Sequence, residues 1–255
     1  MKDYVGKVKV NRVVEEDVHM LELEVPGFDG VAEAGQFVMA RAGRSYDPFL
    51  RRPYSIFDCG KESMQLLVKI VGKGSASIAT KQVGSTIEFL GPLGTGFSVA
   101  KQGHHLLAAG GMGIAPLWFL ARRLERIDAP FTLIFGEQTH SKIGSMVENG
   151  FRNVHLVTDD GSYGIRGVAT EALLIRIDKH REAGVTVYGC GPPAMLRRLA
   201  EVAKEREIPV YISLEERMAC GVGVCMGCSV RKSDGSGYST VCRDGPVFLA
   251  HKVIW

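Results

Sequence analysis

From residue 1 to about 99 the hydrophobic positions fall in short runs, several of them alternating with polar residues: VKVNRVVEE (8–16), HMLELEV (19–25), GQFVMARA (35–42), YSIFD (54–58), MQLLVKIV (64–71) and STIEFLG (85–91). Gly, Pro or polar clusters separate them. Alternation with period two marks half-buried strands, and several strands with turns at short intervals predict a closed antiparallel barrel. SASIATKQV (75–83) reads as one short helix set late in this region.

Near residue 104 the pattern changes. HHLLAAG (104–110) is a continuous apolar run ending in glycine, as a parallel strand buried on both faces would be. IAPLWFLARRLERI (114–127) follows with helical spacing, then FTLIFG, NVHLVT and VTVYGCG, each before a helical or loop segment. PAMLRRLAEVAKERE (193–207) is the clearest helix, with Met195, Leu196 and Leu199 on one face and Arg197, Arg198 and Glu201 largely on another. Strands alternating with helices predict a doubly wound α/β domain, closed by PVYISLE (209–215) as its last strand. Beyond about residue 214 regular periodicity stops. The expected organisation is multidomain: an antiparallel β-barrel over 1–99, an α/β domain over 100–213, and a small cysteine-rich segment over 214–255.

Composition narrows the class. The 255 residues are 45% hydrophobic, enough for a proper core, and the net charge of +3 without a basic run excludes nucleic acid as an expected partner. No stretch nears the roughly 20 apolar residues that span a bilayer. The charged start, MKDYVGKVKV, is not a signal peptide, so a soluble cytoplasmic protein is expected.

Four of the six cysteines cluster near the C-terminus as Cys220-x4-Cys225-x2-Cys228-x13-Cys242. Glycines 221, 223 and 227 let such a loop curl around an inorganic core with its N–H groups turned inward. The order C-x4-C-x2-C…C is that of plant-type [2Fe–2S] ligation. Zinc is the rival metal, although zinc ribbons favour two tight cysteine pairs and here only one pair is tight.

Three further patterns suit nucleotides. RRPYSI (51–56) presents Arg52, Tyr54 and Ser55 at the start of a barrel strand. Arginine can fork onto a pyrophosphate, tyrosine can stack on an isoalloxazine, and serine can bond near its N5. VKIVGKGSAS places Gly74 and Ser75 at a helix start, where free N–H groups favour phosphate. AAGGMGIAPL (108–117), with Gly110, Gly111 and Gly113, closes the first α/β strand and opens a helix, the place for a dinucleotide pyrophosphate. YGCGPPAM (188–195) puts Cys190 and Gly191 at the carboxyl edge of another strand. Cys190 has two readings, a wall of the nicotinamide pocket or a packing residue. Asp159 and Asp160, ending a strand, would repel a 2′-phosphate and suit the free ribose of NAD(H); they also read as turn formers before Gly161. Cys59, His104 and His105 read as structural or surface residues.

In this order the motifs resemble the ferredoxin–NADP reductase superfamily over residues 1 to about 213. EERMACGVGVCMGC (215–228) and VCRDGPVF (241–248) are similar to the electron-transfer subunits of class 1B dihydroorotate dehydrogenases, extending the resemblance to essentially the whole chain. The resemblance implies FAD on the barrel, held by Arg52, Pro53, Tyr54 and Ser55 with Lys69, Ile70, Val71, Gly74 and Ser75. It implies NAD(H) as co-substrate on the α/β domain and a [2Fe–2S] cluster on Cys220, Cys225, Cys228 and Cys242. The family often has threonine where Ser75 stands, and the hydroxyl is kept. A separate FMN-containing catalytic subunit is also implied, in a heterotetramer of two plus two, serving pyrimidine (UMP) biosynthesis. Electrons would pass from that FMN through the cluster and FAD to NAD+. Flavin carries such chemistry itself when the nicotinamide approaches to about 3–3.5 Å, so no acid–base catalytic residue is expected. Two alternatives stay open: the flavin/iron–sulfur subunit of another NAD(P)H oxidoreductase of ferredoxin, sulfide or hydrogenase type, and a zinc-stabilised binding protein without redox function.

Overall fold

The computed structural model of the chain describes residues 2–43 and 46–254. Its contacts gather into two compact units. One comprises residues 1–96, 215–230 and 239–246; the other comprises 97–214, 231–238 and 247–255. The C-terminal segment is therefore shared between them. Trp255, whose role the sequence leaves open, lies outside the described residues.

The first unit is built on the strands β1 (Lys2–Glu15), β2 (Val18–Glu24), β3 (Phe37–Ala40), β4 (Arg52–Gly60), β5 (Ser63–Lys69) and β6 (Thr86–Leu93), with helix α1 (Lys73–Ala79) between the last two. They close a barrel in the order β1-β2-β5-β4-β3-β6, every neighbouring pair antiparallel. The alternation read from the sequence is the cause. Along β6, Ile87, Phe89 and Leu93 point inward while Thr86, Glu88 and Leu90 stay at least partly exposed. Val8, Leu21, Leu23, Met39, Ile56, Met64 and Leu66 complete a dry interior.

The second unit holds β7 (His104–Gly110), α2 (Ile114–Arg126), β8 (Phe131–Glu137), α3 (Lys142–Gly150), β9 (Val154–Thr158), β10 (Ile165–Arg166), α4 (Ala169–His180), β11 (Val185–Cys190), α5 (Pro193–Arg206) and β12 (Val210–Ser213). Three short C-terminal strands follow: β13 (Ser229–Arg231) and β14 (Tyr238–Thr240), which pair with each other, and β15 (Val247–Leu249). The sheet order is β10-β9-β8-β7-β11-β12-β15. The 209–215 run does form a strand, but it is not the last one. β15 adds antiparallel to its outer edge, pairing Val247 with Ser213 and Leu249 with Tyr211. All other pairings in this sheet are parallel.

Strand β7 is first in the chain order of this sheet and has β8 on one side and β11 on the other. The chain direction across the sheet reverses there, and ligands of open α/β sheets bind at the carboxyl ends of such a pair. The opposite ends of the strands carry polar structure. His104 stacks on His180 with ring centroids 3.7 Å apart. His105 is buried with its Nδ1 3.2 Å from the Tyr188 hydroxyl. Both histidines serve the fold, as expected for structural residues.

Candidate functional site

In the first unit, β4 carries Arg52 and Tyr54 on one side of the strand by alternation, with Pro53 and Ser55 on the other. The strand is held on β3, Tyr54 opposite Val38 and Ser55 opposite Phe37. Gly74 meets Arg52: a Cβ on Gly74 would strike Nε and Cζ of the guanidinium. The absence of a side chain there lets Arg52 lie across the start of α1. Lys73, the first residue of α1, pairs with Asp47 at 2.8 Å and ties the helix to the loop before β4. Arg52, Tyr54 and Gly74 thus converge from two elements far apart in sequence.

The Tyr54 hydroxyl is buried and has no partner. Burial pushes its phenol up to about 12, the Arg52 cation pulling the other way. A buried hydroxyl left unpaired costs on the order of 1–3 kcal/mol, so such a group marks a place where a ligand completes the hydrogen bonding. The site fits a flavin nucleotide: a cation for phosphate, an aromatic ring, and an orphaned donor.

The remaining sequence candidates sit nearby with local roles. Ser75 accepts from the N–H of Val71 at 2.8 Å and of Gly72 at 3.1 Å, and donates to the Gly72 carbonyl at 3.0 Å. Its hydroxyl is committed to shaping the 71–75 turn. Lys69 lies 3.4 Å from Asp17, Ile70 donates its N–H to the Asp17 carbonyl, and Val71 is 83% exposed.

In the second unit Gly110 ends β7, and a 3₁₀ turn, Gly111–Gly113, leads into α2. Gly111 has φ +52, a conformation glycine adopts without strain. A Cβ on Gly113 would run into the Cys190 carbonyl, and one on Gly110 would press on Pro192 and Met195. The two turns predicted from GGMG and CGPP therefore pack backbone to backbone at the carboxyl ends of the adjacent strands β7 and β11. The first turn of α2 carries no acidic residue, leaving its positive dipole end for an anion. Cys190 is buried at the end of β11 with Gly191 beside Gly110. Asp159 follows the end of β9, exposed.

The cysteines lie on two segments of the first unit. Gly221 and Gly223 take φ of +72 and +79, and Gly221 rests on the Met39 side chain of β3, where a Cβ would collide. The second segment is tied to the chain beyond β6 through the Thr95 N–H to the Gly245 carbonyl. Every cluster sulfur accepts a backbone N–H. Val222 and Cys225 donate to Cys220 at 3.4 and 3.5 Å, Gly227 to Cys225 at 3.5 Å, Cys242 to Cys228 at 3.4 Å, and Gly223 to Cys242 at 3.0 Å. Burial raises the Cys220 thiol, but the donors from Val222 and Cys225 outweigh it and hold it at about 6. Burial and the neighbouring Cys228 push Cys242 up to about 12.

The Cys225 N–H reaches the Cys220 sulfur and the Cys242 N–H reaches the Cys228 sulfur, linking the four cysteines two and two. Two thiol pairs match a cluster whose two irons each take two thiolates. Among the described residues no group of three or more His, Cys, Asp or Glu side chains is arranged around a single ion position.

Comparison with known proteins agrees with this geometry. Residues 215–254 match the iron–sulfur cluster binding domain of dihydroorotate dehydrogenase B, and residues 6–97 match the oxidoreductase FAD-binding domain. A dihydroorotate dehydrogenase B (NAD(+)) electron transfer subunit from Desulforamulus reducens is 35% identical, over 100% of this chain and 99% of its own. One from Bacillus caldolyticus is 39% identical over 97% and 96%. The chain belongs to the family of dihydroorotate dehydrogenase B electron transfer subunits.

Solved structures place this electron transfer subunit in its fold class. A chain of the NADH-dependent reduced ferredoxin–NADP oxidoreductase, studied for flavin-based electron bifurcation, superposes with a TM-score of 0.86 at 28% identity, covering 98% of this chain and 90% of that one. A ferredoxin NADP+ reductase from Neisseria gonorrhoeae, with bound FAD and NADP, shares the fold at TM-score 0.65 and 18% identity, over 80% and 92%. No described helix of the subunit is long and apolar enough to cross a membrane.

Several residues at the carboxyl ends of β8 and β9 escaped the sequence reading. Glu137 ends β8 and accepts from the Ser141 N–H at 3.1 Å and from the Ser141 hydroxyl, which in turn caps α3 by accepting from the Gly144 N–H. Thr139, His140, Ser162 and Tyr163 bind the loops after β8 and β9 together. The Ser-x-x-Gly start of α3 was a visible cap signal; the pairing of the two loops was not, because it joins residues more than twenty positions apart.

Proposed function

We propose that this chain relays electrons between a catalytic flavoprotein subunit and NAD(H), within an NAD+-linked dihydroorotate dehydrogenase of pyrimidine (UMP) biosynthesis. The observation that carries the reading is the set of four cysteine sulfurs, paired two and two and each bonded by a backbone N–H, beside a barrel that matches an FAD-binding domain.

Arg52 would meet the pyrophosphate of FAD, with Tyr54 along the ring system and its hydroxyl completed by the ligand; Pro53 and Ser55 continue the strand. Gly74 and the Ser75-shaped turn, with Lys69, Ile70 and Val71, frame the other side. Cys220, Cys225, Cys228 and Cys242 would hold the [2Fe–2S] cluster. Gly110, Gly111, Gly113 and Gly191 would admit the pyrophosphate of NAD(H) close to the backbone, with Cys190 lining the nicotinamide end. Bound FAD supplies the exchange between single electrons and hydride. The protein's part is to bind and orient, and no side chain need move a proton. The functional division is FAD on 1–99, NAD(H) on 100–213 and the cluster on 214–255.

The partner of this reading carries FMN and the dihydroorotate site, assembles two plus two with this chain, and works in the cytoplasm. Co-expression and anaerobic affinity purification test it. The expected result is co-purification of an FMN protein and dihydroorotate-dependent NAD+ reduction by the complex. Co-purification instead with a ferredoxin- or NADPH-linked flavoprotein, without dihydroorotate activity, would favour the second reading that the 0.86 TM-score neighbour supports.

A further inference from the structure

Strand β3 is buried on both of its sides, from Phe37 to Ala40. Its Phe37–Met39 side meets the cysteine segments. Gly221, the residue after Cys220, stands on the Met39 side chain: a Cβ there would lie 2.5 Å from Cγ and 3.0 Å from Sδ. Phe37, on the same side as Met39 by strand alternation, meets Gly94, where a Cβ would also strike the Gly245 carbonyl and Pro246. The segment that starts with Cys220 and the segment that continues from Cys242 are thus both seated against this side of β3. All of these residues belong to the first unit.

The same side of β3 is in register with the strand that carries Arg52-x-Tyr54-Ser55. Met39 lies opposite Pro53 and Phe37 opposite Ser55. Residues directly opposite in an antiparallel pair put their side chains on one face, so Pro53 and Ser55 share the face against which the cysteine segments lie. The backbone of Met39 is pinned as well. Arg51 donates from Nη1 to the Met39 carbonyl at 3.4 Å and from Nη2 to Asp3 at 2.8 Å. Met39 is fully buried. A continuous run of bonded and packed atoms therefore leads from Cys220 through the Gly221 peptide and the Met39 side chain to the β3–β4 ladder at Pro53.

We infer that Met39 is the bridge that couples the iron–sulfur centre to the flavin, a positioning residue whose side chain fills the space between the Cys220 loop and the flavin strand. The inference rests on the reading of the four cysteines as cluster ligands and of β4 as the flavin strand, and it adds the path between them. Electron transfer between fixed centres depends on orbital overlap through the intervening atoms. It falls more steeply across a gap than through packed contacts, and a void forfeits those contacts outright. A buried apolar void stays dry, so water would not replace them. Methionine suits the place: it is unbranched and polarisable and fills irregular gaps, and Gly221, at φ +72, lets it reach the peptide next to Cys220. In the relay one electron at a time leaves the reduced cluster, a ferrous iron becoming ferric, and enters the flavin. Two such transfers and one proton from solvent make up the hydride that passes to NAD+. At Met39 no bond forms or breaks, and the sulfur keeps its oxidation state.

The test uses the full chain with flavin and cluster bound, under anaerobic conditions. A laser flash with a photoreductant reduces the flavin without waiting for NADH, and the passage of the electron to the cluster is followed as bleaching of the iron–sulfur absorption. Met39→Ala is expected to slow that passage about tenfold or more, while dye-linked NADH oxidation at the flavin stays within about threefold of the parent. Met39→Leu, which conserves volume, should restore the passage to within about threefold. The EPR spectrum and midpoint potential of the cluster read its integrity without turnover, and both should be unchanged in every variant. Should Met39→Ala lose iron or flavin, Met39→Val, which removes fewer atoms, is read in its place, with the passage slowed about threefold or more. An unslowed passage in the truncated variant, a slowing accompanied by an altered EPR spectrum or potential, or loss of iron from both truncations would overturn the inference while leaving the cofactor reading intact. An unsubstituted chain that holds no iron or no flavin would overturn that parent reading itself.

Discussion

Gly74 stands where any side chain would strike the Arg52 guanidinium, and Gly72, two residues earlier in extended backbone, has nothing within 4 Å of a built Cβ. This contrast makes a clean comparison. Gly74→Ala should displace Arg52 and weaken FAD binding about tenfold or more, since overpacking of this kind costs roughly 1–3 kcal/mol. Gly72→Ala should retain flavin at the parental ratio. The flavin-to-protein ratio after gel filtration checks both. Cys225 is the exposed member of its thiol pair. Cys225→Ala should abolish the cluster and electron delivery from the partner while leaving dye-linked NADH oxidation. Loss of dye activity with flavin still bound would show that the two centres are not separable. At this scale the sequence was most legible where residue type and spacing announce a chemistry: the fold gathers the four cysteines on two segments of the first unit and lays Arg52, two residues before Tyr54, against Gly74. It was silent where a residue acts through a remote partner. The hydroxyl of Ser75 reads as a ligand contact in sequence, yet it is spent on the amides of Val71 and Gly72.

Strand β7 carries polar structure at one end and the Gly111–Gly113 turn at the other. At its amino end His104 is packed on His180. Burial, followed by the charges of His180, His105 and Lys179, lowers the His104 pKa to about 4, and burial also lowers His105 and His180. These groups are neutral in the folded chain and protonate more readily when unfolded. Between pH 6.5 and about 4 the unfolded state binds more protons, so stability falls as pH drops through that window and is unaffected above it. Chemical denaturation from pH 7.5 to 4.5 should show this decline, and His104→Asn should flatten it; an unchanged slope would contradict the assignment. A second element-level test concerns α3. Ser141→Ala removes the cap on Gly144 and should cost about 1 kcal/mol in urea denaturation. The barrel strands and the β7, β8, β9 and β11 runs were legible because alternation and continuous apolar runs are local signals. β15 was not legible: three residues are too few to show a period, and it is a strand only because β12 offers it an open edge.

For the whole molecule, the C-terminal segment does two things. It brings the cysteines to the first unit, and through β15 it covers the edge of the second unit's sheet, burying Val247, Ala250 and Val253. Removing residues 247–255 should therefore expose β12, lower the thermal midpoint of the chain by several degrees, at about 2–4 °C per kcal/mol lost, and promote aggregation through the bare edge. Its cluster cysteines all precede the cut. The central claim is that one chain holds FAD and a [2Fe–2S] cluster in electronic contact with NAD(H). Anaerobic titration of the purified protein with NADH, followed by visible absorption alongside iron, sulfide and flavin analysis, tests it most directly. The account predicts about two irons and two sulfides with one FAD per chain, and bleaching of both the flavin and the iron–sulfur absorption by NADH. A colourless protein carrying one zinc, or a coloured one whose cluster NADH leaves oxidised, would contradict it.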